Sequence, residues 1–527
     1  KTVHHKKFAD GGEVIVWETG RAGEEAASYE HLFLRKEIAG FRTNIRREQS
    51  CSIKSLTRDY LYKQLLSSGE YTFDHMLVIK DPYGEAPLTA LALFMLEEPA
   101  CVRVTTKGNL KVTDFVTELP KKKEHRVPIL GMYAEKANDI VIEILDDEGN
   151  CVKSHTFTIR TKRLPKSLRN VITVKKWTDK PAYSNIMING GVKIHTCVFD
   201  IEGKIRYYLS RKPRGYGIFP LSDGHFFYME KYISVPSYSN PQTVESYDMD
   251  YFGRVFRTYL TEKGVHHTAE EKAGGNILTG SNSMLEHTED CVIEIDRQTG
   301  EVVNELIMED IFGGKYEDRV DWTHLNTGEI VWQLNMAEIF DETYQNMMDW
   351  CHVNSAAYYE KDRTILISLR NVHAVICVDY DTKKLRWILS DPKFWEGTKM
   401  TPYLLQPEGD VKWCYQQHAA FEIALPDESN SQKKRIIVYD NHWAKRRKAK
   451  SFDKDPLSYV SFYDIDEEKK TVSLHKRFAG PKTRIRANGI YVPDKKRVYN
   501  MAGSYAEPVD GDGGGIFEYD YETGEVL

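Results

Sequence analysis

From Pro165 onward the chain repeats itself, and that repeat limits what it can fold into more tightly than any other feature. One unit is an apolar strand, an Asp with turn residues, and a second strand. It recurs as Cys197-Val-Phe-Asp-Ile-Glu-Gly-Lys, Val292-Ile-Glu-Ile-Asp-Arg-Gln-Thr-Gly, Val375-Ile-Cys-Val-Asp-Tyr-Asp-Thr-Lys, Val460-Ser-Phe-Tyr-Asp-Ile-Asp-Glu-Glu and Ile516-Phe-Glu-Tyr-Asp-Tyr-Glu-Thr-Gly. Each is a hairpin signal. A second unit precedes these hairpins. His267-Thr-Ala leads to Asn276-Ile-Leu-Thr-Gly, His352-Val-Asn to Thr364-Ile-Leu-Ile-Ser-Leu-Arg370, His418-Ala-Ala to Arg435-Ile-Ile-Val-Tyr-Asp, and Arg486-Ala-Asn to Val498-Tyr-Asn-Met. Successive starts lie 85, 66 and 68 residues apart. Repeats of that length with about four strands each are how β-propeller blades look in sequence, and the stretch after Pro165 holds six of about 60 residues.

The preceding residues read differently. Over 20–70, Glu24, Ala27, Tyr29, Leu32 and Leu34, then Leu56, Tyr60, Leu61, Leu65 and Leu66, fall at loosely helical spacing. After Gly69 come short Val/Ile/Tyr/Thr runs, with strands expected at 76–80, 101–105, 110–112, 140–145 and 156–161 and a turn at 147–150. Leu164-Pro165 closes this region, because Pro cannot continue a ladder. The expected fold is all-β: a helical N-terminal segment over 1–70, a β-sandwich over 71–164 and a six-bladed β-propeller over 165–527.

Composition removes several classes of function. The 72 basic and 78 acidic residues, net −6, leave no electrostatic footprint for nucleic acid. The basic runs at 121–123 and 445–448 are short and read as solvated loop tips. The strongest apolar stretch, 87–96, is half the roughly 20 residues that cross a bilayer, so no membrane span is expected. Eight scattered cysteines form no C-x-x-C pair, which signals neither a zinc nor a dithiol site. The glycine cluster 511–515 lacks the Lys-Ser/Thr of a P-loop and precedes a strand, so it reads as a turn. A chain beginning at Lys1 accommodates a removed leader.

Equivalent positions in successive blades form a ring about one axis, and three of them here are histidines. His267, His352 and His418 then share one space, with Arg370 and Asn354 from the blade of His352 and Asn488 at the register of Asn354 in a later blade. Three neutral imidazoles can bind zinc or iron. No HExxH-type spacing accompanies them, and Arg370 puts a fixed positive charge beside any cation. The alternative is an anion site, in which Arg370, Asn and protonated His donate to the oxygens of a transferring acidic group while a neutral His attacks it.

These residues give the chain a resemblance to bacterial aryl-sulfate sulfotransferases, the enzymes that do not use the nucleotide sulfate donor. Asp81-Pro-Tyr-Gly-Glu-Ala-Pro-Leu-Thr-Ala90 and Val127-Pro-Ile-Leu-Gly-Met-Tyr133 resemble that family's N-terminal β-sandwich. Trp350-Cys-His-Val-Asn354, Ile365-Leu-Ile-Ser-Leu-Arg370 and Gln417-His-Ala-Ala420 resemble its active-site blades. The resemblance implies ping-pong transfer of a sulfuryl group from a phenolic sulfate ester to another phenol through a sulfohistidine, without metal or cofactor. By position His418 matches the nucleophile. His267, His352, Asn354 and Arg370 match residues that bind the sulfuryl oxygens or handle the phenol proton. His266 is the one-residue alternative to His267, and Thr483 and Asn488 match further substrate contacts. A periplasmic or secreted location is implied by the family only, a cytoplasmic one being left open, and a homodimer is allowed for.

Two positions depart from the family pattern. An Asp often follows the first His there, and here the residue is Thr268. The family's short-loop disulfide near the nucleophile is expected to be missing, because Cys414 has no close sequence partner. Two other readings stay open: a metal-dependent hydrolase or lyase at the histidine ring, and a non-catalytic propeller serving as a binding platform. The transfer chemistry is self-consistent, since an aryl sulfate monoanion with a phenolate leaving group needs little charge neutralisation and a neutral imidazole is a competent nucleophile.

Overall fold

A computed structural model of the chain describes residues 4–7, 12–17, 49–176, 178, 180–188, 195–211, 217–233, 242–283, 287–315, 321–324, 349–425, 430–442, 455–483, 485–503 and 513–527. The described chain is predominantly β. It divides into two compact units, one of Lys1–Glu230 with Glu245–Tyr259 and one of Lys231–Val244 with Leu260–Leu527.

In the first unit seven strands form one sheet, with Ala90–Thr106 as its long central member. That strand pairs antiparallel with His75–Lys80, Phe115–Ile129 and Ala137–Leu145, and its register slips between Met95 and Val102, where Pro99 interrupts the ladder. The segment 1–70, expected to be helical, is not helical throughout. His4–Lys7 and Glu13–Trp17 are strands, and the second pairs in parallel with His75–Lys80. The reason lies in Val14-Ile15-Val16, a β-branched run whose first two members are buried. The helix that does form, Gln49–Ser67, sets Leu61, Tyr62 and Leu66 against Ile15, Leu77, Ile79 and Leu91. Positions 20–48 of the helical reading lie outside the described residues, as do 445–448 and Gly511-Asp512. The strand expected at 110–112 is instead a 3-10 turn, Lys111–Thr113. There Thr113 Oγ1 donates to the Leu110 carbonyl and accepts from the Leu110 amide, a local closure that competes with the ladder.

Among the described residues the second unit carries, in chain order, the last strands of a seven-stranded sheet and three further sheets, all antiparallel except for Gln406–Pro407, which pairs in parallel with Thr471–Pro481. The end of Val255–Glu271 leads into Ile277–Ser281, Cys291–Ile295 and Val302–Ile307. Next come Val353–Tyr359, Thr364–Leu369, Ala374–Asp379 and Leu385–Leu389. The third sheet has His418–Ile423, Lys433–Asp440, Leu457–Asp466 and Thr471–Pro481, and the fourth has Ala487–Val492, Arg497–Ala502 and Gly515–Asp520. All five hairpins read from the sequence are present, the last closing through the single bridge Tyr519 to Val526.

Alternation explains the packing. In Thr364–Leu369, Ile365 and Ile367 face a core shared with Leu278, Val292 and Leu306 of the preceding sheet, whereas Leu366 faces a core shared with Ile436 and Val438 of the following one. A third core joins Ile437, Val460 and Phe462 to Val498 and Tyr519. Because both faces of the second and third sheets are covered, their strands read as near-continuous apolar runs. No described helix is long and apolar enough to cross a membrane.

The packing sets a stability contrast. Ile376→Ala, at a fully buried site, is expected to cost about 2–5 kcal/mol. Val303→Ala, at a site 52% exposed, should stay within about 0.5 kcal/mol of the parent. Urea unfolding followed by tryptophan fluorescence measures both; equal losses would show that the sheets are not packed face to face as described.

Candidate active site

In three of the four sheets the first strand is irregular, and the site is built at those irregularities. The ladder slips between His266 and Ala269, between Val353 and Ser355, and between His418 and Ala420. A bulge of this kind re-aims side chains at a strand end. His267, His352, Ala419 and Arg486 all sit at positive φ, between 51° and 60°. The register read from the sequence is therefore approximate. His418 pairs with Tyr439 before its bulge, His352 precedes the first paired residue Val353, and His267 lies within its bulge.

These strand starts are tied to one another by side chains. Asn354 Nδ2 donates to the Gln417 carbonyl at 2.8 Å, the Ala420 amide donates to Ser355 Oγ at 3.0 Å, and the Tyr358 amide donates to Glu270 at 2.9 Å. Gln417 is wholly buried, and its amide nitrogen reaches the Ala374 carbonyl at 2.7 Å, so it anchors the neighbouring His418.

His418 is buried, and its Nδ1 lies 2.6 Å from Asn441 Oδ1. The Asn441 amide is oriented by its own Nδ2, which donates to Thr483 Oγ1 at 3.0 Å. Its oxygen therefore faces the imidazole, Nδ1 is the protonated nitrogen, and the lone pair is on Nε2. The Arg486 amide stands 3.4 Å from that Nε2. Burial, then the charges of Arg370 and His352, pull the His418 pKa down to about 3, so the ring is neutral over the ordinary pH range.

Arg370 is 2% exposed. Its terminal nitrogens donate to Asn371 Oδ1 at 3.1 Å and to Gln416 Oε1 at 3.0 Å, neutral acceptors that hold the fork without cancelling its charge. Gln416 is itself placed by its amide, which donates to His373 Nδ1 at 3.0 Å.

His267 and His352 meet edge to face, with ring centroids 4.8 Å apart. Burial takes His267 well below the usual imidazole range. His352 goes the other way. Burial opposes its charge, but the carboxylates of Asp349 and Glu289 outweigh burial and push it up to about 9. His266, one residue from His267, turns away. Its Nε2 donates to the Ser281 carbonyl at 2.9 Å, and its ring occupies the space that a Cβ on Gly280 would need, 2.6 Å from that ring.

Of the remaining candidates, Asn354 is buried, with its amide oxygen lacking a hydrogen-bond partner among the described residues. Asn488 is half-buried, and its amide oxygen likewise has none. Thr483 is wholly buried and reaches His418 through Asn441. Cys414 is a free thiol whose Sγ lies 3.0 Å from the Tyr463 hydroxyl.

Sequence reasoning missed Asn441, Gln416, Glu289 and Asp349. Asn441 follows the second strand of its sheet just as Arg370 follows the second strand of the preceding one, so a comparison of strand exits was the available signal. Glu289 and Asp349 lie in connections between strands, where no periodicity marks them. Two sets of donor atoms, His266 with His267 and Glu289, and Glu289 with Asp349 and His352, each fall within 4.8 Å of one another, near enough to consider a cation. In the second set the closest pairs are 2.6 Å apart, shorter than the roughly 3.4 Å between ligands of a tetrahedral zinc, whereas in the first His267 Nδ1 and Glu289 Oε1 are 3.5 Å apart.

Comparison with known proteins covers most of the chain. The arylsulfotransferase (ASST) family model matches residues 170–527, and the arylsulfotransferase Ig-like domain model matches residues 77–162. The arylsulfate sulfotransferase AssT of Escherichia coli O6:H1 is 23% identical, covering 85% of this chain and 88% of that protein. Among solved structures, an auxiliary nutrient binding protein from Bacteroides thetaiotaomicron is 11% identical over 78% of this chain and 91% of its own, with a TM-score of 0.34. A Bacteroides caccae protein of unknown function is 11% identical over 65% and 92%, with a TM-score of 0.37. The match over 170–527 takes in every residue of the site, and the chain belongs to the arylsulfotransferase family.

Proposed function

We propose that this protein moves a sulfuryl group from a phenolic sulfate ester to another phenol in two steps, through a sulfo adduct on His418 Nε2. Family membership supports aryl sulfotransferase activity. The observation that carries the finer mechanism is the pairing of His418 Nδ1 with Asn441 Oδ1. It leaves a neutral ring with its lone pair at Nε2, next to a buried guanidinium able to hold an anion. In the first step Nε2 attacks sulfur and the phenolate departs. In the second an acceptor phenol attacks the same sulfur and His418 is released. Arg370 and the amide groups of Asn354 and Asn488 act on the sulfuryl oxygens. His352 and His267 handle the phenol proton, and Thr483 serves through Asn441. His266 is assigned a packing role, its Nε2 being engaged by the Ser281 carbonyl.

The same reading takes 165–527 as a six-bladed propeller, of which the four sheets of the second unit form part, and 71–164 as a β-sandwich. A periplasmic or secreted location and a homodimer belong to the proposal on family grounds alone.

Three outcomes are expected with 4-nitrophenyl sulfate. His418→Ala releases no nitrophenol, and brief exposure of the parent protein to the donor leaves a sulfo group on the peptide containing His418, read by mass spectrometry; full turnover by the variant sinks the proposal. Arg370→Ala, if Arg370 acts as an oxyanion-type donor, lowers kcat by about 10²–10³-fold, and EDTA leaves the parent rate unchanged; loss of activity with EDTA would favour the metal-dependent reading. Finally, adduct formation rises with pH only where His418 loses its proton, near pH 3, and this ring imposes no further dependence between pH 5 and 8. An acid limb centred at 6.5 that vanishes on replacing Asn441 would mean that His418 titrates as an ordinary imidazole.

A further inference from the structure

The surroundings of His352 point to two residues with a part in the reaction. Its Nδ1 lies 2.6 Å from Asp349 Oδ2 and 2.6 Å from Glu289 Oε2. Two carboxylate oxygens this close to one ring nitrogen call for positive charge on the ring: the Nδ1 proton is donated to Asp349, and Glu289 Oε2 lies against the same nitrogen as an ion-pair contact. The other oxygen of Glu289 stands 3.5 Å from His267 Nδ1, so one carboxylate bridges both rings.

Neither acid is placed by chance. The Glu289 amide donates to Asn282 Oδ1 at 2.7 Å, and its carbonyl accepts from the Val353 amide at 2.6 Å, which ties it to the strand that His352 opens. The Asp349 carbonyl accepts from Asn371 Nδ2 at 2.7 Å, next to Arg370. Asp349 is wholly buried and Glu289 nearly so, which makes them costly groups to keep unless they serve a charge.

We propose that Glu289 and Asp349 are positioning residues for sulfuryl transfer: they clamp His352 at Nδ1, so that Nε2–H is presented to the phenolic oxygen, and Glu289 also orients His267. The inference rests on the sulfuryl-transfer reading above. The proton balance is complete. As His418 Nε2 bonds to sulfur and the sulfur–oxygen bond of the donor breaks, the departing phenolate takes the proton from His352 Nε2. In the return step the acceptor phenol gives its proton to that nitrogen, its oxygen bonds to sulfur, and the sulfur–nitrogen bond breaks.

The charged and titratable groups around His352 are Glu289 and Asp349, which favour its proton, and Arg370, His266, His267 and His418, which border the same cluster. With the carboxylates in place the ring stays protonated to about pH 9, so activity should fall as pH rises through that value. Removing one carboxylate should bring the fall to lower pH.

The test is the pH profile of kcat/KM for Glu289→Gln and Asp349→Asn with two donors, 4-nitrophenyl sulfate and unsubstituted phenyl sulfate. The alkaline limb is expected to move at least one pH unit lower. The loss at pH 8 should be at least tenfold larger for phenyl sulfate, whose leaving group needs the proton more. An unmoved limb with equal losses on both donors overturns the assignment. If the variants do not fold, the parent protein decides: in ¹⁵N-histidine spectra, with His352 identified by its loss in His352→Gln, both ring nitrogens should stay protonated at pH 7.5, and a neutral ring there overturns it. Detection of the His418 adduct in the parent separates failure of this inference from failure of the underlying reading.

Discussion

Burial, set against the few charges packed beside each ring, decides which imidazoles of the site can hold a proton. Arg370 stays charged at any pH a protein survives, and it is 2% exposed. His418 is driven neutral by burial first and by that charge second, and in the proposed mechanism this neutral form attacks sulfur. His352 escapes because two carboxylates are packed against its Nδ1, and His267 is left without a proton between them. One residue type thus occurs in two protonation states a few ångströms apart, which is how a site obtains a base and an acid at one pH.

The fold makes that arrangement possible by bringing strand beginnings together. The first strands of successive sheets are joined by side-chain bonds such as Asn354 to Gln417 and Ala420 to Ser355, so they approach without forming a continuous ladder. Bulges then turn the ends. Apolar cores between sheets hold the strands that carry His352 and His418, with Ile367 on one side of its sheet and Leu366 on the other. Residues far apart in sequence can then be held to distances of about an ångström's tolerance, as group transfer requires.

Much of this was legible beforehand, for physical reasons. Strands buried on both faces are continuous apolar runs, and their turns are Asp-rich, so the hairpins at 197, 292, 375, 460 and 516 stood out. His352, His418 and Arg370 were visible because they adjoin those runs at recurring positions. The strand Glu13–Trp17 was missed because its partner His75–Lys80 is distant in sequence and the pairing is parallel. The turn at Lys111–Thr113 was missed because one threonine hydroxyl decided it. Asn441, Glu289 and Asp349 lie in connections, whose conformation depends on what they pack against and carries no period of its own.

The division of polar groups within the site bears on the direction of transfer. Around Arg370 and His418 the hydrogen-bonding neighbours are amides: Asn371, Gln416 and Asn441. The carboxylates Glu289 and Asp349 are engaged at a ring nitrogen of His352, although Asp349 also feels the charge of Arg370. An aryl sulfate brings a negative sulfuryl group and an ester oxygen that gains charge only as the bond breaks. Carboxylates repel the first, whereas a proton they have stabilised suits the second. The sulfuryl group is therefore favoured against Arg370 and Nε2 of His418, with the ester oxygen toward His352. In the proposed transfer, that orientation would place the leaving oxygen beside His352 as its proton donor, and the same polarity would receive the acceptor phenol in reverse.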